Sequence, residues 1–106
     1  MSHVTDILLC TGIDDGGAED EHPNADRLSE WLVSKHGAAC KLVLVSDRAG
    51  GNKVMQADVF AVAVNHCSIP ALIEAFRAIP WDYPEAVQLM VKDEHDDAFT
   101  IYTALE

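Results

Sequence analysis

The chain has few basic residues for its length. Its 106 residues include 7 lysines and arginines against 18 aspartates and glutamates, for a formal net charge of −11 at pH 7. Such a surface repels the phosphates of nucleic acids, so we expect no nucleic-acid partner. The same excess attracts cations and basic proteins, and it also keeps a small domain soluble.

Long apolar runs and paired cysteines are also lacking. No run approaches the roughly 18 apolar residues that a membrane-spanning helix requires, so we expect no membrane association. The segment 1–6 has no basic region followed by an apolar one, and we expect no secretory signal peptide. Three cysteines, Cys10, Cys40 and Cys67, are an odd number and predict a reduced, cytoplasmic protein.

The apolar residues that are present follow regular periods. Continuous or alternating apolar runs predict five strands, at residues 7–11, 41–46, 59–65, 87–92 and 99–102. Helical spacing predicts helices at about 23–36 and 69–79, the second of them capped by Ser68. We therefore expect a single globular domain over residues 1–106.

The order of these elements, βαββαββ, predicts an α+β fold. Two interleaved βαβ units would form a ferredoxin-like βαββαβ sandwich, and the last strand would add a C-terminal edge by forming a hairpin with its predecessor. The alternative is an α/β layer in which strands 1 and 2 are adjacent and parallel.

The ferredoxin-like arrangement would bring separate loops together at each end of the sheet. One end, here called the Gly-rich end, gathers glycines, charges of both signs and two aromatic residues: Asp14, Asp15, Gly50, Gly51, Lys53, Trp81 and Tyr83. The opposite end gathers the acidic turn 93–97 with His66 and Cys67. We prefer the Gly-rich end as the binding site, because it combines flexible glycines with convergent polar groups.

Gly50, Gly51 and Lys53 form a candidate anion site at that end. Consecutive glycines allow backbone N–H groups to converge on an anion, and the lysine adds positive charge. The spacing lacks the Ser or Thr of a phosphate loop. Lys53 could instead form an ion pair with Asp14 or Asp15.

Other motifs favour structural roles. His66-Cys67 precedes a helix, whose N-terminus can lower the pKa of a thiol, but a structural cysteine is the simpler interpretation. The spacing Asp93-x-His95-x-Asp97 offers metal ligands, yet these side chains would diverge in a tight turn. We therefore assign no catalytic residue, no metal site and no cofactor.

The charge pattern favours a small non-enzymatic module that binds a basic protein, as an inhibitor or immunity-type protein does. The predicted partner-binding residues combine the first acidic block with two aromatic anchors: Asp14, Asp15, Glu19, Asp20, Glu21, Trp81 and Tyr83. The two aromatics could instead form a lid over the core. The alternative function is a small-molecule or metal-dependent site, enzymatic or regulatory, at the Gly-rich end.

The last strand also predicts a homodimer. Residues 99–104 would lie at a sheet edge, and they contain no lysine or proline that would block pairing with a second copy.

Overall fold

A computed structural model describes residues 3–12 and 22–105, which form an α+β domain. The strands are β1 (Val4–Thr11), β2 (Val43–Leu44), β3 (Asp58–Asn65), β4 (Gln88–Asp93) and β5 (Thr100–Thr103). The helices are α1 (Pro23–His36) and α2 (Ile69–Ala78), and short 3-10 turns occupy Ser46–Arg48 and Pro84–Ala86. Neither α-helix combines the length and the apolar composition needed to cross a membrane.

The five strands form one antiparallel sheet with β1 at its centre, in the order β2-β3-β1-β4-β5. The alternative with strands 1 and 2 adjacent and parallel is wrong, because β3 lies between them and pairs antiparallel with both. Helix α1 therefore carries the chain past one strand position. The predicted C-terminal hairpin is confirmed, since β4 and β5 pair with Gln88 opposite Thr103.

The second strand is much shorter than the predicted 41–46. Val43 and Leu44 pair with β3, and the Val45 N–H still donates a hydrogen bond to the Val59 carbonyl at 2.8 Å. Beyond them the buried hydroxyl of Ser46 accepts a hydrogen bond from the Val59 N–H at 3.2 Å. This side chain takes the place that a backbone carbonyl would have in a longer ladder, so the strand ends there.

Both helices begin where local chemistry predicts. The Ser68 hydroxyl accepts a hydrogen bond from the Ala71 N–H at 3.4 Å and caps α2, whose first turn contains Pro70. Helix α1 begins with Pro23 and stops at Gly37, whose φ of 113° lies in the region that favours glycine.

The helices cover one face of the sheet and form the core with it. Inward-facing side chains of β1 and β4, such as Ile7, Leu9 and Leu89, are almost completely buried together with Leu28 and Phe76 of the helices. Burial of apolar surface contributes about 25 cal/mol per Å², so this layer is the main source of stability.

Trp81 closes the core just after α2. The residue is 7% exposed, its ring centroid lies 5.6 Å from that of Phe76, and its Nε1 donates to the Phe76 carbonyl at 2.8 Å. A buried indole whose only donor is satisfied stabilises the fold. This geometry supports the lid interpretation for Trp81, whereas Tyr83 is 49% exposed.

Two isoleucines of the sheet provide a matched test of the core face. Ile7→Ala changes a residue that is 1% exposed, and we expect it to lower the free energy of unfolding by about 2–5 kcal/mol. Ile101→Ala changes a residue that is 57% exposed, and it should cost less than about 1 kcal/mol. Urea denaturation measures both values, and equal losses would contradict this assignment of the core.

Candidate functional site

The end of β1 and the starts of β3 and β4 lie together at the Gly-rich end of the sheet. Thr11 of β1 lies opposite Asp58 of β3. His22 is held at the same end, because its Nδ1 lies 3.7 Å from Oδ2 of Asp58 and its ring packs edge-on against Phe60 at 5.1 Å.

The predicted ligand residues of this end lie at the surface or outside the described residues. Gly50, Gly51 and Lys53 are exposed, and Gly51 has a φ of 110° that a side chain would strain. The acids of the first block fall outside the described residues: Asp14, Asp15, Glu19, Asp20 and Glu21. Their partner-binding role, and the anion site, therefore stay predictions.

The opposite end of the sheet carries histidines and carboxylates from three segments. His3 precedes β1, His66 follows β3, and Asp93 ends β4 before the turn that contains Glu94 and His95. The antiparallel order brings these segments side by side. We call these five residues the histidine–carboxylate cluster. The prediction that His66 and the acidic turn share one end of the sheet is confirmed.

Asp93 organises the cluster with both of its carboxylate oxygens. Its Oδ2 lies 2.8 Å from Nε2 of His3, and its Oδ1 accepts a hydrogen bond from the Thr5 hydroxyl at 2.8 Å. Its backbone N–H donates to Oδ2 of Asp96 at 3.0 Å, which holds the turn. The carboxylate thus fixes the His3 ring beside the turn that follows β4.

The backbone of His3 is anchored as well, so this residue continues the sheet. Its N–H donates to Oδ1 of Asn65 at 2.7 Å, and its carbonyl accepts from the His66 N–H at 2.9 Å. The His66 ring stacks on the His3 ring with centroids 5.9 Å apart, and the His95 ring approaches it edge-on at 5.9 Å.

His66 adopts an unusual backbone conformation to make these contacts. Its φ of 56° is left-handed, which costs a non-glycine residue of order 1–3 kcal/mol and persists where surrounding contacts enforce it. Here the hydrogen bond to His3 and the start of α2 on the far side of Cys67 supply that constraint.

Hydrogen bonding between His3 and Asp93 shifts their two pKa values in opposite directions. The bond to Asp93 raises the pKa of His3 above its usual value, and the charges of Asp93 and Glu94 add to this effect. The same bond, followed by the one from Thr5, lowers the pKa of Asp93. Each shift favours the ion pair.

Cys67 lies beside the cluster without an activated thiol. The residue is buried, and burial raises the pKa of its thiol, as does the negative charge of Asp93. A thiol that stays protonated is a poor nucleophile. The geometry therefore favours the structural interpretation of this cysteine over the catalytic one.

Three members of the cluster are close enough to bind one metal ion together. One side-chain atom each from His3, Glu94 and His95 lies within 4.8 Å of the others. The sequence pointed instead to alternation of Asp93, His95 and Asp97, and it did not single out His3. The available signal was topological: residues that precede a central strand lie beside those that follow its antiparallel neighbours.

Comparison of the chain with models of protein families, with curated proteins and with solved structures finds no match.

A hydrogen bond from helix α2 to the edge strand β5 bears on the predicted homodimer. Its outward-facing Thr103 carbonyl accepts a hydrogen bond from Nε of Arg77 in α2 at 3.2 Å. An added strand would need that carbonyl, so Arg77 protects part of the edge. The sequence pattern missed this protection because it comes from a helix, not from the strand itself. The homodimer stays a prediction.

The pairing of His3 with Asp93 predicts a pH-dependent stability. A raised His3 pKa stabilises the fold below the ordinary histidine pKa, and the effect is lost as pH rises through the folded-state value. A lowered Asp93 pKa stabilises the fold above the ordinary aspartate pKa, and the effect is lost as pH falls. The pair therefore contributes most at roughly pH 4 to 6.5.

Asp93→Asn should move the NMR-titrated pKa of His3 down towards its ordinary value, because the charged partner is lost. The same variant should lose more stability relative to wild type at about pH 5.5 than at about pH 8. Asp97→Asn is the control, since it removes an exposed acid of the same turn. An unchanged His3 pKa in Asp93→Asn would contradict the pairing.

Removal of the Arg77 side chain should make β5 more prone to pair with a second copy of the chain. Arg77→Ala frees the Thr103 carbonyl, so we expect dimers at lower protein concentration than in wild type, measured by analytical ultracentrifugation. Arg27→Ala removes the same charge from an exposed position of α1 and serves as control. Identical association curves for the two variants would show that Arg77 does not protect β5 from pairing with a second copy.

Proposed function

We propose that this protein is a small non-enzymatic binding module whose acidic surface engages a basic protein, as an inhibitor or immunity-type protein would. The observation that carries the proposal is the placement of charge: among residues 3–12 and 22–105, no carboxylate is buried. Surface charge of one sign steers an oppositely charged partner and speeds association, and its effect declines as salt is added.

Within residues 3–12 and 22–105, ion pairs neutralise few of the carboxylates, which supports the same proposal. Ion pairs at His3, His22 and His95 each join a carboxylate to a histidine rather than to a lysine or arginine. With 18 acids against 7 lysines and arginines, a large negative charge is left to face a partner.

We assign the contact to the acidic block 14–21 together with Tyr83. Tyrosine is enriched among the residues that dominate binding energy, and Tyr83 is 49% exposed. Trp81 would act indirectly, because its buried ring anchors the segment from which Tyr83 projects.

A ferredoxin-like sandwich with β5 as an additional edge strand is our proposal for the fold. Its support is the interleaving of the two βαβ units: α1 links β1 to β2 across β3, and α2 links β3 to β4 across β1.

A reducing compartment such as the cytoplasm is proposed because the three cysteines are free.

The test compares two variants of equal net charge. The first neutralises the acidic block: Asp14→Asn, Asp15→Asn, Glu19→Gln, Asp20→Asn and Glu21→Gln. The second neutralises five exposed acids elsewhere: Asp26→Asn, Glu30→Gln, Asp47→Asn, Glu74→Gln and Glu85→Gln. Proteins captured from the source cells at low salt are identified, and their association rates are measured by surface plasmon resonance.

We expect one basic protein that wild type and the second variant capture and the first variant loses. Its association with the first variant should be slower by at least about tenfold at low salt, and the difference should shrink at high salt. Equal rates for both variants would contradict the assignment to residues 14–21. Rates that do not respond to salt would contradict the electrostatic mechanism itself.

A further inference from the structure

We propose that His3, Glu94 and His95 form a binding site for a divalent transition-metal ion of the zinc class. The site goes beyond the binding of a basic protein and uses different residues from the acidic block 14–21. Among the described residues, these three side chains bring one ligand atom each to within 4.8 Å of one another.

The spacing is close to what a metal ion requires. Zinc holds histidine nitrogen and carboxylate oxygen at about 2.0–2.2 Å, so neighbouring ligand atoms around a tetrahedral ion lie about 3.4 Å apart. The three atoms therefore need to approach one another by at most about 1.4 Å. The exposed side chains of Glu94 and His95 can make this movement, since the His95 side chain is 86% exposed.

His3 supplies the rigid part of the site. Its backbone is bonded on both sides, to Asn65 and to His66, and Asp93 holds its ring through Nε2 at 2.8 Å. A carboxylate on one ring nitrogen orients histidines that bind a metal through the other nitrogen, so Nδ1 of His3 is the atom left for the ion. Asp93 is in turn fixed by the Thr5 hydroxyl, so the orientation of His3 exists before any ion binds.

The donor set selects the class of metal. Two imidazoles and one carboxylate suit zinc, cobalt and nickel, whereas magnesium and calcium prefer oxygen ligands alone. The surrounding negative charge lowers the cost of placing a dication here, because Asp93 and Asp96 lie in the same turn. Three protein ligands at an exposed position leave a coordination place for water or for a donor from another molecule.

The test uses protein without an affinity tag, because tag histidines would bind the same ions. Isothermal titration with zinc chloride should give one ion per chain. His3→Gln and His95→Gln should each weaken binding by at least about tenfold, the loss that removal of one ligand or its support produces. His36→Gln, on the last turn of α1, is the matched control and should bind as wild type does. Magnesium chloride should give no heat of binding.

Several outcomes would overturn the site. The site is wrong if His3→Gln and His95→Gln both bind zinc with unchanged affinity. It is also wrong if His36→Gln loses as much zinc affinity as those two variants do. Absence of zinc binding to the wild-type protein at micromolar concentration would also overturn the site. His95→Gln keeps the test valid if His3→Gln unfolds, since His95 is exposed, and circular dichroism of each variant without metal verifies the fold.

Discussion

The central position of β1 between two antiparallel neighbours determines which parts of this chain meet. Residues that precede β1 must lie beside those that follow β3 and β4, whatever their distance along the chain. Asp93 makes this contact specific, with one carboxylate oxygen on His3 and the other on Thr5. A shift of the β1–β4 register by one residue would turn every side chain of β1 to the opposite face, so the buried face and the cluster depend on the same pairing.

The same strand separates the two ends of the sheet far enough for them to act independently. From His3 to Thr11 the chain rises about 3.3 Å per residue, or roughly 26 Å in all. Charges at that distance are screened at physiological salt, where the Debye length is about 8 Å. A dication held by the histidine–carboxylate cluster would therefore leave the electrostatic attraction of a basic partner at the Gly-rich end largely unchanged.

Local patterns predicted the elements, while contacts between distant segments decided the site. The Ser68 cap of α2, the hairpin of β4 and β5, and the apolar face of α1 follow from nearby residues, and the structure has them where the sequence indicated. The early end of β2 depends on Ser46 reaching across to β3, which no local pattern reveals. Trp81 could not be placed on the surface or in the core until its partner Phe76 was known. His3 gained its role only from the strand order.

A crystal structure of the tag-free protein grown with zinc, measured on both sides of the zinc absorption edge, tests the account most directly. We expect an anomalous difference peak within about 2.0–2.2 Å of ligand atoms from His3, Glu94 and His95, with Asp93 still on the His3 ring. A peak at the Gly-rich end, or none on the protein, would contradict the claim that the register of β1 builds a metal-binding site at the other end of the sheet.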